Sequence, residues 1–147
     1  MQSLNKLTII LTTNNKREDF IFRFLNYYDS IYKKKKIKII ISDSGDKKNF
    51  IKLKEKIKKK KFNFNLIFKN YIPKNKRNIL RDAWGVPGFE YRERLHQVLR
   101  EVRTKYIVLA ADDDFYFPTY FKKAIKFLES NKSFSCVYGH QMKFLLK

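Results

Sequence analysis

The chain has 147 residues, 44% of them hydrophobic and 16% aromatic, which suits one domain with its own core and excludes a disordered segment. Its formal net charge is +20, from 34 Lys and Arg against 14 Asp and Glu, yet no run reaches the roughly 18 apolar residues of a membrane span. The lone cysteine, Cys136, excludes an internal disulfide and reads as a small buried apolar residue in "SFSCVYG".

The opening "MQSLNKLTIILTTNNKR" lacks the basic start and small-residue cleavage site of a secretory signal, so a cytoplasmic chain is expected. Residues 7–11, "LTIIL", are apolar and β-branched, as in a strand covered on both faces. From about Arg17 to Tyr32, Ile21, Phe24, Leu25, Tyr28 and Ile31 or Tyr32 recur at helical spacing. A second strand is expected at "IKIIIS", 37–42, ending in "DSGD", and Phe50, Leu53 and Ile57 mark a Lys-rich helix over about 47–60. "FNFNLIF", 62–68, predicts a third strand. Residues 69–88, with Pro73, Gly85, Pro87 and Gly88, read as a loop with one helical turn. A helix follows over 89–103, with Tyr91, Leu95, Val98, Leu99 and Val102 on one face and a solvated His96 on the other. "YIVLA", 106–110, predicts a buried strand, Pro118 opens a helix striped by Phe121, Ala124, Ile125 and Leu128, and "FSCVYGH" predicts a last strand.

This alternation predicts an α/β domain over 1–147: three layers, helices on both faces of a mainly parallel sheet, Rossmann-like. Ligands of such sheets bind beyond the carboxyl ends of the strands. "TTNN", "SDSGD" and "DDD" are therefore expected to converge there.

The basic charge has a compositional explanation. Lys outnumbers Arg 26 to 8, alongside abundant Ile, Asn, Phe and Tyr, as A/T-rich codons would produce. The runs "YKKKKIK" and "KIKKKKF" hold no concentration of Arg, the better residue for bidentate phosphate contacts. No dedicated nucleic-acid partner is expected, whereas peripheral contact with an anionic inner membrane face is.

Three adjacent carboxylates repel one another unless a positive group sits among them. If the strand continues through the triplet, Asp112 and Asp114 point the same way and can share one Mg²⁺ or Mn²⁺, with Asp113 turned aside. The metal would then neutralise a diphosphate leaving group. In the alternative, "DDDFYFP" is a polar strand end in which one Asp caps the helix at Pro118.

The ordered stretches "LTIILTTNNKR", "IIISDSGD", "TKYIVLAADDDFYFP" and "VYG" resemble the nucleotide-binding half of family 2 glycosyltransferases with the GT-A fold, from about Leu7 to Gly139. The resemblance implies a glycosyltransferase using a nucleotide-diphosphate-sugar donor and a glycan, lipid-linked or protein acceptor, with inversion at the anomeric carbon. It places Thr12, Thr13, Asn14, Asn15 and Lys16 or Arg17 beside the nucleotide base, and Asp43 on the base. Asp112, Asp113 and Asp114 fall on the ribose and on a diphosphate bound to Mn²⁺ or Mg²⁺, and Arg77 in "NKRN" lies near the nucleotide. Thr12 stands where the family has Pro, and Asn14 where it has an aromatic residue. Aligned backwards from "FYFP", Asp113 becomes the metal ligand; read as a self-contained pair, Asp112 and Asp114 do. The family's general base lies in the half that follows, so no catalytic residue is identified, and the domain is expected to be incomplete on its acceptor side. The alternatives are a non-catalytic nucleotide-sugar-binding remnant and a basic nucleic-acid-binding module.

Overall fold

The computed structural model describes residues 3–32, 37–63, 65–71 and 88–139. Strand β1 (Leu7–Thr13) leads through a 3₁₀ turn at Asn15–Arg17 into helix α1 (Glu18–Ile31). Then follow β2 (Lys38–Asp43), α2 (Lys47–Lys59), β3 (Asn65–Asn70), α3 (Gly88–Leu99), β4 (Tyr106–Ala111) and α4 (Pro118–Ser130). The four strands are all parallel, in the order β3-β2-β1-β4. The α/β class and parallel sheet expected from the alternation are present. No helix among the described residues is long and apolar enough to cross a membrane.

Period-two alternation sorts the strand residues between two helical layers. Ile9, Leu11, Ile39, Ile41 and Ala110 pack in one cluster with Ile21, Phe24, Leu25 and Tyr28 of α1, Leu53 and Ile57 of α2, and Phe121 and Ile125 of α4. Ile10 and Ile40 face the opposite side and pack on Val98 of α3. Three helices therefore cover one face and α3 the other. Tyr32, at 1% exposure, completes the α1 stripe, while Ile31 is exposed.

The register then sets a polar row. The last apolar row on the three-helix face is Phe68–Ile41–Leu11–Ala110. Two residues further on, Asn70 lies beside Asp43 and Asp43 beside Thr13. Thr12 pairs with Ala111, so Asp112 comes next to Thr13. One row of polar side chains thus crosses the carboxyl edge of the sheet.

Four expectations are corrected. The third strand runs over Asn65–Asn70, not 62–68: Lys61 takes a left-handed φ of 50°, and the Asn63 backbone N–H donates to Asp29 Oδ1 at 2.9 Å, so turn geometry occupies the start of that stretch. Strand β4 is half-covered, with Ile107 and Leu109 exposed, because α3 packs over Ile10 and Ile40 and leaves this edge strand open. Residues 134–139 form no strand and are exposed. Cys136 is accordingly exposed. Most of the loop expected over 69–88, including Arg77, lies outside the described residues.

Candidate site at the carboxyl edge of the sheet

Leaving β1, the chain turns at Asn14, whose Oδ1 accepts from the Lys16 N–H at 3.1 Å, and this turn sets Asn15 and Arg17 to different tasks. Asn15 is buried at 7% exposure; its Nδ2 donates to Asp43 Oδ2 at 3.2 Å and to the Asp46 carbonyl at 2.6 Å. Arg17 remains partly exposed, and its Nη2 lies 3.0 Å from Asp112 Oδ1 and 2.9 Å from Asp113 Oδ2.

Asp43 is fully buried. Its Oδ2 accepts from Asn15, from the Gly45 N–H at 3.1 Å and from Asn70 Nδ2 at 2.8 Å, while its Oδ1 has no hydrogen-bond partner. Burial pushes its carboxyl above the ordinary aspartate value, against the pull of the Gly45 N–H, Asn70 and Arg94. A Cβ at position 45 would come within 2.3 Å of the Asn15 amide, so the turn closes only over glycine. Asp46 caps α2, accepting from the Asn49 N–H at 2.8 Å.

The triplet after β4 behaves differently. The strand ends at Ala111, and the Asp114 N–H turns back onto the Ala111 carbonyl at 3.3 Å. Extended period-two geometry therefore stops before the triplet, and the same-face argument for Asp112 and Asp114 does not hold. Asp112 faces inward, at 3% exposure, accepting from Thr13 Oγ1 at 2.5 Å. Asp113 shares Arg17, and Asp114 accepts from the Tyr116 hydroxyl at 3.1 Å. Burial raises the Asp112 carboxyl, opposed by Thr13 and Arg17; the Arg17 hydrogen bond lowers that of Asp113. The α4 cap position is Phe117, without a side-chain cap bond, so none of the three aspartates caps that helix.

The positive group among these carboxylates is Arg17. Among the described residues, no group of three or more His, Cys, Asp or Glu could hold a metal ion. Placed in this way, with Arg17 bridging Asp112 and Asp113 and Tyr116 taking Asp114, the residues do not fit a Mn²⁺ or Mg²⁺ ion held jointly by Asp112 and Asp114.

Between β1 and β4 lies an open cleft of about 190 Å³, lined by Thr12, Thr13, Asn14, Arg17, Ser44, Arg94, Ala111, Asp112 and Asp113. The strand order reverses there, since β2 and β3 extend to one side of β1 and β4 lies on the other. Of the expected site residues, Thr12, Thr13, Asn14, Arg17, Asp112 and Asp113 line the cleft. Asn15 and Asp43 lie beneath the neighbouring turn, and Asp114 turns away.

Sequence reasoning missed Arg94. Its Nη1 donates to the Thr13 carbonyl at 3.2 Å. One clue was available: it sits mid-helix, one turn before buried Val98, a cation in line with the apolar stripe on the side toward the carboxyl edge. No family model, curated protein or solved structure matches the chain.

Proposed function

We propose that the cleft between β1 and β4 binds the ribose and diphosphate of a nucleotide-diphosphate sugar, and that the chain is a GT-A-like glycosyltransferase domain moving that sugar to an acceptor hydroxyl. One observation carries the reading: two guanidinium groups and two carboxylates line a single cleft at the point where the strand order of a parallel sheet reverses. At about 190 Å³ it falls below the roughly 300–1,000 Å³ of pockets that enclose whole ligands, and it suits one part of a larger molecule.

Opposite chemistry divides the work. A diphosphate is drawn to Arg17 and Arg94, whose forked N–H donors match phosphate oxygens. Carboxylates repel phosphate and accept from hydroxyls, so Asp113 faces the ribose diol, with Asp112 held in place behind it by Thr13. During transfer the acceptor oxygen bonds to the anomeric carbon from the side opposite the diphosphate. The bond to the leaving oxygen breaks, its electron pair stays on the diphosphate, and the anomeric configuration inverts. Arg17 and Arg94 then stabilise the charge that develops on the leaving group. The acceptor proton passes to a base that is not assigned among the described residues. A lipid-linked acceptor and peripheral contact with an anionic membrane suit the strongly basic chain.

Thermal unfolding with a panel of nucleotide-diphosphate sugars, with and without Mn²⁺, tests the reading. At least one sugar nucleotide should raise the unfolding midpoint of the wild type, and Arg17→Ala and Arg94→Ala should each reduce that rise. A panel in which none raises the midpoint under either condition would overturn the proposal.

A further inference from the structure

Of the aromatic rings that the fold leaves exposed among the described residues, four fall in two pairs that the segment 115–117 joins along the chain. Phe20, Phe115, Phe117 and Tyr120 are 37%, 44%, 48% and 61% exposed. Two of them adjoin an anchored residue. Tyr116 faces inward: its backbone N–H donates to the Tyr28 hydroxyl at 3.1 Å, that hydroxyl donates to the Tyr116 carbonyl at 2.9 Å, and its ring stacks on Phe121. Its neighbours Phe115 and Phe117 flank this anchor and are both exposed, Phe115 with its ring edge-on to Tyr27 at 5.2 Å.

Cations interleave with these rings. The Arg17 guanidinium lies 4.5 Å from the Phe20 ring centre, and that of Arg23 lies 4.6 Å from Phe20 and 5.2 Å from Phe115. Phe117 packs on Tyr120 with ring centres 6.1 Å apart, and the Lys123 ammonium lies 5.8 Å from the Tyr120 ring. The belt begins at Arg17, on the rim of the cleft, and ends on the first turns of α4.

We propose that this belt docks the protein on an anionic phospholipid surface, with the aromatic rings in the headgroup layer and Arg23 and Lys123 on lipid phosphates. The inference does not depend on glycosyl transfer. Aromatic side chains favour the boundary between headgroup and hydrocarbon. Cations near such a surface are drawn to its phosphates, and the net charge of +20 adds longer-range attraction. Of the carboxylates beside the belt, Asp113 is partnered by Arg17 and Asp114 by Tyr116, and Asp19, next to Phe20, sits exposed in the first turn of α1. A single-stranded nucleic acid would need free ring faces on which to stack its bases. Phe20 and Phe115 already carry guanidinium groups, whereas insertion at a lipid surface needs only ring edges.

Vesicle co-sedimentation of the full chain tests this. The wild type should pellet with phosphatidylcholine vesicles containing phosphatidylglycerol and remain in the supernatant with vesicles of pure phosphatidylcholine. Replacing Phe115, Phe117 and Tyr120 together by Ser should weaken partitioning by about tenfold with little change in the unfolding midpoint. Phe117→Ser alone should weaken it by about threefold, which keeps the test decisive if the triple variant unfolds. Arg23→Gln with Lys123→Gln should weaken binding and flatten its salt dependence. Unchanged vesicle binding by the Phe117→Ser and triple variants would overturn the proposal. So would tighter binding to a single-stranded oligonucleotide that depends on the same three rings.

Discussion

Asp43 and Asp112 lie on either side of Thr13 in one row of the sheet, both buried and both with a carboxyl raised above its ordinary value, yet they sit in opposite surroundings. Asp43 is enclosed by neutral donors: two side-chain amides and the Gly45 N–H. Asp112 is met by the Thr13 hydroxyl and a guanidinium, beside an open cleft. Topology makes the difference. Strand β2 has neighbours on both sides, so Asn15 after β1 and Asn70 at the end of β3 close over Asp43. Strand β4 stands across the reversal from them, and among the described residues no further strand pairs with its outer edge. Chemically equal carboxylates thus become a structural pin on one side and a ligand-facing wall on the other.

Substitution separates the two roles. Asp43→Ala should cost about 2 kcal/mol in chemical denaturation, because it leaves the part-buried Gly45 N–H and the amides of Asn15 and Asn70 without their acceptor and opens a void. Asp113→Ala, at a half-exposed position, should stay within about 0.5 kcal/mol and show its loss in ligand binding instead. Equal stability effects at the two positions would break the comparison. Gly45→Ala should destabilise by about 1–2 kcal/mol, since the new methyl must displace the buried Asn15 amide, and Asn15→Ala in the same chain should recover part of that loss by making room.

The smallest effect is one of pH. Asp43 has a folded-state pKa above its unfolded value, so between those two values the native state binds more protons and stability falls as pH rises. Asp43→Asn removes this dependence. The stability of the variant minus that of the wild type should therefore grow as pH climbs from the ordinary aspartate range, then level off above the folded-state pKa. Denaturation midpoints measured across mildly acidic pH check the sign; a difference that shrinks with rising pH would mean that the turn favours the charged carboxylate.

Regular elements were legible because they need only local periodicity: the α2 stripe of Phe50, Leu53 and Ile57 is buried as expected, and so is β1 on both faces. The order of elements implied a parallel sheet, and the carboxyl-edge rule pointed to the turns at Thr12 and Thr13, at Asp43 and at the aspartate triplet. What the sequence by itself determined is this layered framework and the edge on which its polar turns gather. The tertiary structure decided which side chains meet there. Asn15 reaches Asp43 across 28 positions and Arg17 reaches Asp113 across 96, and local spacing has no hold on either pairing. One hydrogen bond from Asp114 back to Ala111 ends the strand, and with it the period-two argument for Asp112 and Asp114. The cation that so basic a chain places among its carboxylates is an arginine from the turn after the first strand, because strand order brings that turn alongside the fourth.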